Sequence, residues 1–192
     1  MRNIFKFLKK ILLEMPAIML GLLVALALNS WKENNDRAYR AANLLASINN
    51  EIKHNYEIVP SVKESTINIY KRNDSIISLY KNSEIKSLSI ATITSEAIRN
   101  VAWKTASLSD DFSAIPIETL TELSKVYLEQ ERVEFIRNSI DNLFINSDPE
   151  LSSLNLAKIK QNHMSRFISR YEDLIKEYED YLKIDSNKNT NN

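Results

Sequence analysis

Residues Ile11–Leu28 read ILLEMPAIMLGLLVALAL, an apolar run interrupted by a single charge, Glu14. At 1.5 Å per helical residue the run is roughly 27 Å long, close to the ~30 Å thickness of a bilayer's hydrocarbon core. Met15–Leu28 alone is too short to cross, so a span requires Glu14 near one boundary, protonated, paired or reaching toward headgroups. Pro16 falls in the first turns, where a missing amide donor costs least. Trp31 places an aromatic at the other end, where membrane interfaces collect them. The stretch predicts a transmembrane helix over residues 11–31.

The flanks orient it. Arg2, Lys6, Lys9 and Lys10 precede the run without an acid, whereas Lys32, Arg37 and Arg40 follow it diluted by Glu33 and Asp36. The positive-inside rule then puts residues 1–10 in the cytoplasm and the remainder on the other side of the membrane. A cleaved signal peptide is the competing reading, since the basic start and the Ala25-Leu26-Ala27 pattern fit one. Glu14 and Pro16 interrupt the front of the apolar region and Trp31 suits an interface, so an uncleaved anchor is the expectation. Ala17, Gly21 and Ala25 recur every fourth residue and line one stripe on which a second helix could approach closely. Glu14 and Asn29 extend that stripe at its ends.

Composition narrows the architecture beyond the anchor. Gly21 is the chain's only glycine, which argues against phosphate-cradling loops, dinucleotide turns and glycine-turn-rich β folds. Lys+Arg and Asp+Glu number 25 each, so there is no basic excess for nucleic acid to meet. The absence of cysteine removes disulfides and thiolate chemistry.

Past the anchor the pattern is helical. Leu45, Ile48, Ile52, Asn55, Val59, Val62, Thr66, Ile69, Asn73, Ile76 and Tyr80 form a seam with a 3-4 rhythm. Asn55 and Asn73 are its polar exceptions, of a kind that fixes register in a coiled coil. Pro60 predicts a kink within a continuing helix, because the seam stays in phase across it. Ser83–Ser113 is Ser/Thr-rich, and residues 87–94 alternate like a strand with no partner, so an extended link is expected there. A short helix over Ser95–Ser107 carries Ala97, Ile98, Val101, Ala102 and Trp103. Pro116 opens a helix running to Ile145 through Leu120, Leu123, Tyr127, Val133, Ile136, Ile140 and Leu143. Asp148-Pro149-Glu150 restarts the chain into a last helix bearing Met164, Phe167, Tyr171, Leu174, Tyr178 and Tyr181. The product is an all-α protein, one transmembrane helix continuing into an elongated antiparallel helical bundle over 32–184, with a disordered polar tail over 185–192.

Candidate chemistry is thin. Glu51 and His54 make an E-x-x-H, the spacing of carboxylate di-iron bundles, but His163 carries Lys160 three residues earlier, so the motif has no second copy. The pair reads as surface residues flanking the seam. Glu129, Glu131 and Glu134, interleaved with Arg132 and Arg137, read as a solvated helix face. Asp110-Asp111 suits a turn or a cap. Trp103 reads as a core anchor, with partner contact as the alternative, and the C-terminal tyrosines read as core. No residues assemble a catalytic, cofactor-binding or metal site.

Glu14, Gly21, Ala25-Leu26, Asn29, Trp31 and Glu33, followed by Leu45, Ile48, Glu51, Ile52 and Asn55, carry a resemblance to a family of short bacterial single-pass membrane proteins, a domain of unknown function. Trp103-Lys104-Thr105-Ala106, with Leu120, Leu123 and Tyr127 downstream, is similar to that family's middle region. The resemblance covers about a third of the chain and implies an uncleaved anchor with a helical domain. Met15-Pro16 and Leu20 depart from the family's β-branched run. The expected role is a non-enzymatic membrane-anchored interaction or scaffold protein whose partners are the bilayer and a second copy or another membrane protein. The alternative is an extracytoplasmic small-ligand sensory bundle signalling through a partner membrane protein.

Overall fold

The computed structural model describes residues 2–92, 98–145 and 152–190, with side chains described within 15–92, 98–139, 142 and 152–185. No strand occurs among the described residues; the chain is all-α. The first helix, α1, is unbroken over Arg2–Lys81. Both Pro16 and Pro60 lie inside it, so Pro60 does not end the seam. Ile48, Ile52, Asn55, Val59, Thr66 and Asn73 are all buried, which keeps one face covered on both sides of the proline. At the far end the buried residue is Ile77, and Ile76 is only half-buried. A straight helix drifts about 20° per heptad against a 3.5-residue repeat, so over five heptads the covered face moves on by one residue.

α1 ends without glycine. Ser83 has φ 62, Glu84 N–H donates to Leu79 O at 3.0 Å and Ser83 N–H to Tyr80 O at 3.1 Å. These are the paired bonds of a Schellman cap, with serine taking the left-handed position usually held by glycine.

Three shorter pieces come next: α2 (Val101–Ser107), a 3-10 turn (Asp110–Ala114) and α3 (Ile117–Ile145). α2 is shorter than the helix expected over Ser95–Ser107, whose residues 95–97 lie outside the described residues. Arg99 cannot be helical in its hydrogen bonding, because both its peptide groups are taken by Asn55. The boundaries of α3 match expectation, with Pro116 just before its first residue and its carbonyl accepting from Leu120 N–H. Leu123, Tyr127 and Val133 are buried and Leu120 and Ile136 half-buried, whereas the Ile140 and Leu143 side chains lie outside the described residues. So does the Asp148-Pro149-Glu150 restart.

The last helix, α4, spans Ser153–Thr190. It runs beyond Asp185, through most of the tail expected to be disordered; Asp185 itself accepts a bond from Asn49 Nδ2 at 3.2 Å, which ties this end of α4 to α1. Its stripe of Met164, Phe167, Tyr171, Leu174, Tyr178 and Tyr181 is buried throughout. α4 packs against both α1 and α3. Its direction opposes α1: Asn49 meets Tyr181 and Asp185, Tyr56 meets Glu179, Lys63 meets Glu172, and Tyr70 meets Gln161. The bundle core begins at Ala41, ten residues past Trp31, or about 15 Å along the helix.

Candidate functional site: the open span and the clamped link

Met15–Lys81 contains a stretch of helix long and apolar enough to cross a membrane. None of that stretch is covered by the rest of the chain: Met15, Ile18, Leu22, Leu26 and Trp31 are all exposed. Such a surface in water would be a severe aggregation liability, so its cover must come from outside the chain. Ala17, Gly21 and Ala25 are exposed as well, and a Cβ built on Gly21 meets nothing within 4 Å. The side chain of Glu14 lies outside the described residues.

Helix phase decides which way this stripe faces. Gly21 and Ile48 are 27 residues apart, about seven and a half turns, so they point to opposite sides of α1. Gly21 and Tyr39 are 18 residues apart, about five whole turns, and share a side; Tyr39 is 70% exposed. The small-residue stripe therefore lies on the side of α1 away from the bundle, and the fold leaves it open.

Beyond the span, α1 holds the middle of the chain with polar side chains. Asn73 Nδ2 donates to Ala91 O at 3.0 Å while its Oδ1 accepts from Ala91 N–H at 2.9 Å. Asn55 does the same to Arg99, at 2.7 Å and 3.0 Å. A carboxamide offers one donor and one acceptor side by side, as a peptide does, so each asparagine completes the hydrogen bonding of one residue of the link. The two are 18 residues apart, again about five turns, and share a face. The asparagines thus hold the link in place, a different task from the helix–helix register marking their position in the seam suggests.

Glu51 is the third of these groups. Its carboxylate accepts from Ala102 N–H at 2.8 Å, Trp103 N–H at 3.4 Å and the Tyr127 hydroxyl at 2.8 Å. Asn100, the residue preceding α2, makes no side-chain cap, so Glu51 caps α2 from another helix. The surface reading of Glu51 is corrected: it is 9% exposed. Its neighbour His54 is half-buried, with Nε2 lacking a hydrogen-bond partner among the described residues. Desolvation raises the Tyr127 phenol pKa, and the bond to Glu51 adds to the effect. Trp103 is half-buried, stacked on Tyr127 at 4.6 Å between ring centroids and edge-on to Phe112 at 5.5 Å. Its face is thus committed within the chain.

Nearest the span, Arg40 pairs with Asp111 through two bonds of 2.7 and 3.1 Å, and Arg37 reaches Asp110 O and Ser113 Oγ. Asp110-Asp111 thus belong to the 3-10 turn, capped by Ser109. The bond to Arg40 holds Asp111 below the usual carboxylate range. The solvated reading of the acidic face on α3 holds for Glu131 and Glu134, which are exposed, and fails for Glu129. The Glu129 side chain is 11% exposed and pairs with Arg132 on its own helix and Arg170 on α4. Among the described residues no three or more His, Asp or Glu are grouped to hold a metal ion. No family model, curated protein or solved structure matches this chain.

Proposed function

We propose that the protein is a single-pass membrane-anchored helical interaction protein, with residues 1–10 cytoplasmic and the bundle outside a bacterial inner membrane. The observation that carries this reading is α1 itself: one helix contributes an uncovered apolar segment at one end and the central face of the bundle at the other. A rigid helix shared by both parts transmits the position of one to the other without a flexible linker. The partner in the bilayer is a second copy or another membrane protein, met along Ala17, Gly21 and Ala25, where small side chains let backbones approach. Crosslinking in native membranes followed by affinity isolation tests it. The expected result is a discrete adduct through the span that Gly21→Leu abolishes. Monomer alone, with no stable partner, contradicts it.

A second reading, a bundle that senses a small ligand and signals through a partner membrane protein, is favoured by one observation. α3 and α4 enclose an open groove of about 730 Å³, within the size range of small-molecule sites. The Ser/Thr-rich stretch Ser83–Ser113 contributes no residue to its lining.

A further inference from the structure

The groove between α3 and α4 has a definite chemistry. Leu128, Phe135 and Ile136 line it with apolar surface, and Arg132, Arg166 and Arg170 bring three guanidinium groups to it from two helices. Glu131, Ser169 and Asp173 complete the lining. We propose that this groove binds a small organic monocarboxylate, its carboxylate on the arginines and its apolar body on Phe135, Leu128 and Ile136. The proposal rests on the ligand-sensing reading and adds the class of ligand.

Arg132 and Arg170 are held in place by acids. Glu129 pairs with Nη1 of Arg132, and its other oxygen lies 3.7 Å from Nη1 of Arg170. Asp173 takes the same Nη1 of Arg170 at 3.2 Å. All these contacts fall on a single terminal nitrogen of each guanidinium, which leaves most of its five donors for a ligand. Arg166 has no ion-pair partner among the described residues. Bidentate capture of a carboxylate is what a preoriented guanidinium does best. Phe135 is 73% exposed and Leu128 47%, so large apolar surface stands open beside the arginines.

The groove is also polarised. α3 and α4 run antiparallel, so Arg166 lies toward Phe135 and Asp173 toward Leu128. The carboxylate belongs beside Arg166, away from Asp173, and the apolar body runs from Phe135 and Ile136 toward Leu128. Lys63 of α1 pairs with Glu172, which puts this level of α4 32 residues beyond Trp31, or about 48 Å along the helix. Lipid headgroups are out of reach at that height, and the ligand comes from the aqueous phase.

The test uses the full chain in phosphatidylcholine nanodiscs, with para-trifluoromethyl-phenylacetate and its uncharged amide followed by fluorine NMR against empty nanodiscs. The carboxylate is expected to broaden saturably and the amide to bind about tenfold more weakly or less. Arg166→Gln and Phe135→Ser, both at exposed positions, are each expected to weaken the carboxylate by about tenfold with circular dichroism unchanged. Equal binding of amide and carboxylate overturns the anion assignment and leaves a ligand groove. Binding of neither overturns the sensing reading with it, and binding untouched by both variants places the site elsewhere and overturns the proposal.

Discussion

Replacing Glu51 by alanine tests the middle of the fold. The substitution removes the acceptor for Ala102 N–H, Trp103 N–H and the Tyr127 hydroxyl together. Loss of a helix cap costs about 1 kcal/mol. Leaving a buried hydroxyl without its charged acceptor adds about 1.5–3 kcal/mol, so the sum is about 3 kcal/mol. Glu51→Gln retains one acceptor oxygen and turns an amide donor toward the rest, at about half that cost. The assay is urea unfolding of the full chain in detergent, in a Trp31→Phe background. Trp103 is then the sole tryptophan and reports its own stack on Tyr127. A double-mutant cycle with Tyr127→Phe isolates the pair, with a coupling above about 1 kcal/mol expected. An alanine variant within about 0.5 kcal/mol of the parent, the range of exposed positions, refutes the reasoning.

Two further outcomes concern the capping and clamping residues. Ser83→Gly should raise stability by about 1 kcal/mol in the same urea assay, because it removes the side chain from a left-handed backbone position; an unchanged or lower midpoint contradicts the Schellman assignment. Asp111 is held below its ordinary pKa by Arg40, so its contribution is present above about pH 4 and is lost as pH falls through the lowered value. The stability deficit of Asp111→Asn should therefore be seen at neutral pH and vanish in acid, and a deficit independent of pH contradicts the clamp.

The parts of the fold that repeat were legible in the sequence. The spacing of Met164 through Tyr181 placed the face of α4 without error, since a period of 3.6 needs no knowledge of the partner. Pro116 marked the start of α3 through backbone chemistry alone. What escaped is polar and long-range. Glu51 sits at the edge of the seam, beside Ile52, where periodicity treats a carboxylate as solvent-facing; its partners are 51 to 76 residues away. Asn55 and Asn73 were visible as exceptions, but a helix-to-helix role and a helix-to-link role leave the same mark on the seam. Their equal phase, about five turns apart, was the available signal. The groove depends on Phe135 staying exposed, and that is decided only by how α3 rotates against α4.

The central claim is that the apolar span within residues 11–31 lies in lipid while the part of α1 beyond it stands in water on the far side. The chain has no cysteine, so single substitutions label cleanly. In intact cells, with a maleimide that cannot cross membranes, Lys86→Cys should react at once and Leu22→Cys only after detergent. Reaction of Leu22→Cys without detergent, or protection of Lys86→Cys until the cells are opened, contradicts it.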